Sequence, residues 1–311
     1  DDAFQPAFGD DKSTATALRH RNKRERKGQM GIRWETTLMK TQEDLRHWAQ
    51  QAYRKLEAMP EEEVAQLRAK ERAYQRLLKD ETYQRRRLEF DMWTSAFFWP
   101  IPIADADDML APTQQELRGL RRENPLDMEM VRRIREIAER ERFFHWAFEF
   151  PTVFNDAKSG FDVVLGNPPW ERIKLQEQEF FAPFDEDITT APNKAARNKL
   201  IQKLPEENSA LWEQFVTAKA SSENLSTFVR ESDRFPLTAY GDINTYVLFA
   251  GHVRAIIDSK GRSGVILPTG IATGFTTKDY FGDLVDKQQI VSLFDFENRE
   301  GLFDGVHRSY K

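Results

Sequence analysis

The spacing of apolar residues predicts that the first 142 residues form a helical region. One stripe at helical spacing predicts a helix from about Thr41, and Met59-Pro60 should end it. Proline followed by three glutamates favours a second helix from Pro60, and its stripe continues to about Phe90. Together they predict an αα-hairpin over about residues 41–90. We interpret the hairpin as a spacer or partner surface in preference to a DNA clamp. The stripe of the first helix comprises Leu45, Trp48, Ala49, Ala52, Tyr53 and Leu56.

The second half of the chain alternates strand-like and helix-like segments. An apolar, mostly β-branched run at 161–165 predicts a strand that is buried on both faces. This alternation is typical of an α/β fold. The segments that follow are a helix at 243–257, a strand within 261–268, a helix at 278–287, a strand at 290–296 and a hairpin strand at 302–310.

The aromatic segment Phe143–Phe154 precedes that first strand. We expect it to be core that packs beside the strand. His145 lies within this apolar run, and a buried, hydrogen-bonded histidine is a better interpretation than a catalytic one. Residues 171–235 are polar and helix-prone, and they predict a helical insertion, either a lid or DNA-facing element or a plain insertion.

The strand at 161–165 ends in the turn Asn167-Pro168-Pro169-Trp170. Each proline holds φ near −65° and lacks a backbone N–H, so the turn is rigid and poor in donors. It offers a side-chain amide and bare carbonyls at the carboxyl end of a strand, where open α/β sheets bind ligands. Such acceptors suit a primary amine on an aromatic ring, whose lone pair is delocalised into that ring. Hydrogen bonds to both N–H groups would draw the nitrogen towards a tetrahedral shape and free the lone pair.

The segment FDVVLGNPPW (Phe161–Trp170) resembles the catalytic motif of the S-adenosylmethionine-dependent DNA methyltransferases that methylate base amines. Their motif has the form (N/D)-P-P-(Y/F/W). The flanking segments resemble, in order, the large adenine methylases of restriction-modification and phage-defence systems, including the fused type IIG enzymes. These segments are FFHWAFEFPTVF (143–154), GDINTYVLFAGHVRAII (241–257), GRSGVILPTGI (261–271) and SLFDFENREGLFDGVHRSYK (292–311). FDMWTSAFFWPIPI (90–103) resembles the family's segment that leads into its core.

The resemblance implies a Rossmann-like methyltransferase core of which this chain holds the carboxyl-terminal part of the sheet. Large N-terminal and inserted helical regions would surround it. The domains would be a helical region at 1–142 and a catalytic portion at 143–311 with its insertion at about 171–235.

The resemblance also assigns roles to residues. Asn167 and Pro168 would accept the hydrogens of the target amine, Pro169 would keep the turn rigid, and Trp170 would stack on the base. Phe303 would pack on the base from the other side, although a core phenylalanine is the alternative. A base inside a duplex cannot reach such a pocket, so the target would be flipped out of double-stranded DNA.

Asp242, Asn244 and Tyr246 match the family's D-x-N-x-Y pattern near the cofactor pocket, although Asp242 could equally cap the following helix. The family's glycine-rich cofactor turn does not precede Asn167. We therefore interpret the chain as a piece of a larger protein, with the main S-adenosylmethionine motif before Asp1 and the target-recognition region after Lys311. This piece alone should be inactive.

Composition narrows the possibilities further. The net charge is −5, there is no cysteine, and the five histidines are scattered, so we expect neither disulfides nor a metal site. The chain has no run of 18 apolar residues and no signal-like start, so we expect a cytoplasmic protein that does not contact a membrane. The basic stretch Arg19–Lys27 could contact phosphates or form a solvated helical face.

The leading hypothesis is the catalytic portion of a DNA adenine-N6 methyltransferase. It would transfer a methyl group from S-adenosylmethionine to a flipped-out adenine in a restriction-modification or phage-defence system, with other restriction or defence subunits as possible partners. The choice of adenine over cytosine comes from the resemblance, because the turn serves both amines. The alternatives are methylation of RNA or of a protein glutamine, and an inactive methylase-derived helical scaffold.

Overall fold

A computed structural model of the chain describes residues 3–27, 47–154, 160–297 and 300–301. The chain divides into two compact units, Asp1–Gly160 and Phe161–Lys311, and each is described by itself. The boundary between the units lies after residue 160, which is 18 residues beyond the boundary at residue 142 that the sequence predicts. The predicted domain assignment stays a prediction. Among the described residues, no helix is long and apolar enough to cross a membrane.

The regular elements described in the first unit are helices joined by irregular segments. Three of these helices begin after an aspartate whose carboxylate accepts a hydrogen bond from the first turn: Asp11 before α1, Asp80 before α4 and Asp127 before α6. The helices are α1 (Lys12–Lys27), α2 (residues 47–57), α3 (Val64–Leu78), α4 (Glu81–Ser95), α5 (Gln114–Arg121), α6 (Met128–Arg140) and α7 (Trp146–Glu149).

The prediction of one unbroken helix from Pro60 to about Phe90 is wrong. The chain breaks at Lys79-Asp80, and the Asp80 carboxylate accepts from the amides of Thr82 and Tyr83 at 2.9 and 3.2 Å. This cap satisfies amides at the start of α4 that would otherwise lack partners. Because the apolar spacing continues on both sides of the break, it does not indicate that α3 ends there.

The core of the first unit lies between α4 and α6, where Met92, Met130 and Ile134 are fully buried. The Phe143–Phe154 segment adds rings to it, since Phe148 packs on Tyr83 with ring centroids 4.7 Å apart. His145 is buried, and its Nε2 lies 2.8 Å from Asp91 Oδ1. The prediction of a buried, hydrogen-bonded histidine is therefore confirmed.

The basic stretch Arg19–Lys27 falls on α1, and part of it holds that helix in the fold. Arg21 donates to the carbonyls of Ala106 and Met109 at 3.0 and 2.9 Å. Arg24 pairs with Asp107 at 3.1 Å. These contacts show that several of the cations serve the packing of this unit.

The second unit contains both strands described in the chain and the helical insertion. Its aromatic residues Phe180, Phe181 and Phe215 pack α8 against α12, with the rings of Phe181 and Phe215 5.0 Å apart. The elements are β1 (Phe161–Gly166), α8 (Glu177–Phe181), α9 (Glu186–Thr190), α10 (Lys194–Ile201), α11 (Leu204–Glu207), α12 (Ser209–Glu231), α13 (Thr245–Ile256), β2 (Ile257–Val265), α14 (Gly270–Thr273), a short 3₁₀ turn (Phe275–Thr277) and α15 (Lys278–Asp286).

β1 and β2 form a two-stranded parallel sheet, and Gly166 lies opposite Val265 at its carboxyl edge. The register shifts after Phe161 pairs with Ile257, and regular pairing resumes at Val163 with Arg262. Gly261 lies at this irregularity, where a Cβ would come within 2.8 Å of the Phe161 carbonyl oxygen. Only glycine lets the two backbones approach so closely there.

This architecture confirms a mixed α/β chain, mostly helical, with a parallel sheet; a Rossmann-like core stays a prediction. The expected burial of β1 on both faces is wrong, because Val163 and Leu165 are 59% and 75% exposed. Among the described residues, β1 pairs only with β2. Burial of a strand depends on layers packed over its faces, which the apolar composition of the strand cannot supply by itself.

The strand expected at 290–296 is also wrong, since this segment is irregular. Its apolar side chains, including Leu293 and Phe296, are exposed. A hydrogen bond of 3.0 Å from the Thr269 hydroxyl to Asp295 ties it to the residues after β2. Alternation of side chains favours a strand, but a strand needs a ladder partner. The hairpin strand expected at 302–310 lies outside the described residues.

Two methionines on α6 provide a matched test of the first core. Met130 is 1% exposed, whereas Met128 is 88% exposed on the same helix. We expect Met130→Ala to lower the free energy of unfolding by about 2–5 kcal/mol, because it leaves a cavity. Met128→Ala should change it by less than about 0.5 kcal/mol. Urea unfolding followed by circular dichroism measures both, and equal losses would contradict this packing.

Candidate active site

The Asn167-Pro168-Pro169-Trp170 turn leaves the carboxyl end of β1. The Gly166 carbonyl accepts from the Ile266 amide at 3.0 Å, so the pairing of the two strands continues to the residue just before the turn. Both parallel strands end at this edge. The turn therefore occupies the position at which ligands bind in open α/β sheets.

Two hydrogen-bond acceptors of the turn, those of Asn167 and Pro168, receive no hydrogen bond from the described residues. Asn167 is exposed, and within the described part of the chain its side-chain amide has no hydrogen-bond partner. The Pro168 carbonyl likewise accepts no hydrogen bond from any described residue. Trp170 is 38% exposed and so keeps part of its ring accessible. These are the groups that sequence analysis expected to meet an amine and a base.

The next carbonyl is engaged by Thr245, the first residue of α13. The Thr245 hydroxyl donates to the Pro169 carbonyl at 2.7 Å and accepts from the Glu171 amide at 2.9 Å. The Thr245 amide donates to the Glu171 carbonyl at 2.8 Å. One residue thus makes three hydrogen bonds to the backbone on either side of Trp170.

The chain that leaves the turn then pairs with the residues before α13. Arg172 and Asn244 form an antiparallel bridge, and the Ile173 amide donates to the Ile243 carbonyl at 3.3 Å. Ile173 also packs against a small core that α12 and α13 share, composed of Val229, Ile243 and Leu248. The exit of the turn is therefore anchored by both backbone and apolar contacts.

Ser222, in the middle of α12, holds the same segment further along. Its hydroxyl donates to the Ile173 carbonyl at 2.7 Å and accepts from the Leu175 amide at 2.8 Å. The Ser222 hydroxyl thus makes the same two bonds as the Thr245 hydroxyl, to backbone groups that lie four residues further along the chain. The helical insertion therefore contacts the exit segment of the candidate site.

Arg230 on α12 fixes the loop that enters α13. Its guanidinium donates to the carbonyls of Ala239 and Gly241 at 3.2 and 2.6 Å. Gly241 has φ +68°, in the left-handed region that glycine tolerates best, and a Cβ there would lie 2.5 Å from Thr276 Cγ2. The glycine thus permits a turn that brings Thr245 to the Pro169 carbonyl.

Two of the three residues expected at a cofactor pocket have contacts within the fold instead. Asn244 is the N-cap of α13, with its side-chain oxygen accepting from the Tyr246 amide at 3.2 Å. Asp242 had been considered as that cap; it instead forms an exposed ion pair of 3.5 Å with Arg172. An exposed pair of this kind contributes at most about 1 kcal/mol.

The third residue, Tyr246, packs against the core formed by Val247, Ala250, Ile271 and Tyr280. Burial raises the pKa of the Tyr246 hydroxyl, which stays protonated at neutral pH. That hydroxyl lies close to Gly270, where a Cβ would be 3.0 Å from it and would require a small shift of the tyrosine. The role of these three residues in binding S-adenosylmethionine stays a prediction.

The structure brings the turn together with Thr245 and Asn244. Phe303, expected to stack on the base, lies outside the described residues. Sequence analysis missed Thr245 and Ser222 as contacts of the turn. Thr245 lies inside the segment 241–257 that resembles the methylases. A hydroxyl side chain on a polar surface does not contribute to the apolar spacing from which contacts can be predicted.

A comparison with protein families places part of the chain beside a known family. Residues 78–216 match the family model of the Eco57I restriction-modification methylase. This range contains the Asn167-Pro168-Pro169-Trp170 turn, Phe90–Ile103 and most of the insertion as far as α12. The match confirms the resemblance to restriction-modification methylases. No curated protein and no solved structure matches the chain at a significant level.

The capping roles of Asn244 and Asp242 can be separated by mutation. We expect Asn244→Ala to lower the free energy of unfolding of the second unit by about 0.5–2 kcal/mol, because the first turn of α13 loses its cap. Asp242→Ala removes only an exposed ion pair and should change it by less than about 1 kcal/mol. Thermal unfolding monitored by calorimetry tests both. A larger loss in Asp242→Ala than in Asn244→Ala would contradict the assignment of the cap to Asn244.

Proposed function

We propose that this chain carries the amine-binding part of a DNA methyltransferase that methylates the N6 amine of adenine in a restriction-modification system. The observation that carries the proposal is the acceptor turn at the carboxyl end of β1, inside the range that matches a restriction-modification methylase. The match supports methyl transfer to DNA, and the chemistry of the turn supports an exocyclic amine as its acceptor.

The turn offers two acceptors for one NH₂ group. In adenine the N6 lone pair is delocalised into the ring, which makes the nitrogen a poor nucleophile. The Asn167 side-chain oxygen and the Pro168 carbonyl oxygen would each accept one N–H. Their pull would favour a tetrahedral nitrogen whose lone pair points out of the ring plane. Because the nitrogen loses its proton only after attack, no carboxylate base is required at this position.

The same turn would hold the base itself. The partly exposed ring of Trp170 follows the acceptors directly, and stacking on an aromatic side chain contributes about 1–3 kcal/mol per base. Two prolines keep the acceptors and the ring in one fixed relation. This pre-organisation is what an active site needs, since small misplacements of reacting groups are costly.

Double-stranded DNA is the substrate in this proposal, and the target adenine would be flipped out of the stack to reach the turn. S-adenosylmethionine, when bound, would supply an electrophilic methyl group. The turn would act on the amine and the base, and Asp242, Asn244 and Tyr246 stay candidates for contact with the cofactor. The other subunits of a restriction or defence system would be partners.

The test uses the protein that carries this chain, at its native length, with labelled S-adenosylmethionine and duplex DNA. We expect label in N6-methyladenine, and we expect Asn167→Ala to lower the rate by about 100-fold or more, as loss of one transition-state hydrogen bond does elsewhere. Asn198→Ala is the control, because Asn198 is exposed on α10 away from the turn.

The product identifies the acceptor. Label in N4-methylcytosine would keep the amine chemistry and correct the base. Label in RNA or in a glutamine amide would replace the substrate class. Full activity in Asn167→Ala would contradict the role of the turn, and absence of transfer by the unmutated protein would favour a methylase-derived scaffold.

A further inference from the structure

We propose that Thr245 and Ser222 form a two-hydroxyl clamp that aims the catalytic turn, with Thr245 as a positioning residue for Trp170 and the Pro168 carbonyl. The inference rests on the proposed function and extends it to residues that touch neither base nor cofactor. Its basis is a hydrogen-bond pattern that occurs twice in one segment of seven residues, 169–175.

In each half of the clamp a single hydroxyl joins a carbonyl to the amide two residues later. Thr245 bridges the Pro169 carbonyl and the Glu171 amide, at 2.7 and 2.9 Å. Ser222 bridges the Ile173 carbonyl and the Leu175 amide, at 2.7 and 2.8 Å. In a parallel sheet, one residue of the neighbouring strand makes this same pair of bonds. The two hydroxyls thus continue, on either side of the Arg172–Asn244 bridge, the hydrogen bonding that a neighbouring strand would make.

The need for such a clamp follows from the prolines. Pro168 and Pro169 have no N–H, so a neighbouring strand could not hold this part of the chain through donors. The carbonyls of the two prolines remain as acceptors, and the Thr245 hydroxyl donates to the second of them, that of Pro169. Successive carbonyls of an extended chain point in different directions. Holding the Pro169 carbonyl on Thr245 therefore turns the Pro168 carbonyl away, towards the side where the amine would bind.

The clamp stands on a rigid support. Thr245 begins α13, Ser222 lies within α12, and these helices share the core of Val229, Ile243 and Leu248. Ile173, between the two clamped pairs, packs on that core. Because the hydroxyls come from helices that pack together, they fix the turn more closely than a loop would.

The kinetic test compares three variants of the native-length protein. Thr245→Val keeps the shape of the side chain and removes the hydroxyl, whereas Thr245→Ser keeps the hydroxyl. Thr217→Val is the matched control, because the exposed Thr217 hydroxyl bonds only to the Glu213 carbonyl of its own helix. We expect kcat to fall about 10- to 100-fold in Thr245→Val, with KM for DNA and Tm nearly unchanged. Thr245→Ser should restore most of kcat.

A second measurement does not depend on turnover. Hydrogen–deuterium exchange should be faster at the Glu171 amide in Thr245→Val and at the Leu175 amide in Ser222→Ala, because each amide loses its acceptor. Neither amide should change in Thr217→Val. The prolines simplify the assignment, since between Asn167 and Glu171 only Trp170 adds another amide.

The outcomes separate this inference from the proposed function. If the unmutated protein methylates DNA and Thr245→Val does so equally well, the positioning role is overturned. A fall in kcat that Thr245→Ser does not restore, or one that follows a matching fall in Tm, also overturns it. If the unmutated protein transfers no methyl group, the catalytic role falls with the proposed function. Unchanged exchange at both amides overturns the clamp itself in either case.

Discussion

The second unit depends on one constraint: its central turn carries two consecutive prolines and can therefore donate no backbone hydrogen bond across two residues. A segment without donors cannot join a sheet in the ordinary way. It must be held through its carbonyls by groups that reach it from elsewhere. Thr245 provides that group at the Pro169 carbonyl, and the Arg172–Asn244 bridge and Ser222 hold the exit segment that follows.

This constraint gives the helical insertion a structural purpose. Residues between the turn and α13 could be a plain insertion, yet α12 returns to the exit segment with Ser222 and to the loop before α13 with Arg230. Val229 of the same helix adds the apolar contact with Leu248. The insertion and α13 thus act as one support, and the acceptors of Asn167 and Pro168 receive no hydrogen bond from the described residues.

Sequence patterns predicted the elements that depend on local chemistry. The strand before the turn, α13 and α15 all form close to their expected positions, because apolar spacing and the breaking residues act locally. Predictions that depended on distant partners did worse. The segment at 290–296 has the composition of a strand but no ladder in the described residues, and β1 is exposed although it is apolar. Asp80 escaped notice because its cap interrupts a stripe that continues beyond it.

The candidate site likewise has a part that depends on local chemistry and a part that depends on distant partners. The turn itself could be predicted, because proline restricts φ and removes donors whatever surrounds it. Its supports could not, because a clamp needs an atom that both donates and accepts, and such atoms are common on polar surfaces. Lysine and arginine only donate, and an ionised carboxylate only accepts. A hydroxyl does both from one oxygen, which lets it join a carbonyl and an amide two residues apart. Threonine and serine are therefore chemically suited to these two positions, but only the fold shows which hydroxyls meet the turn and its exit segment.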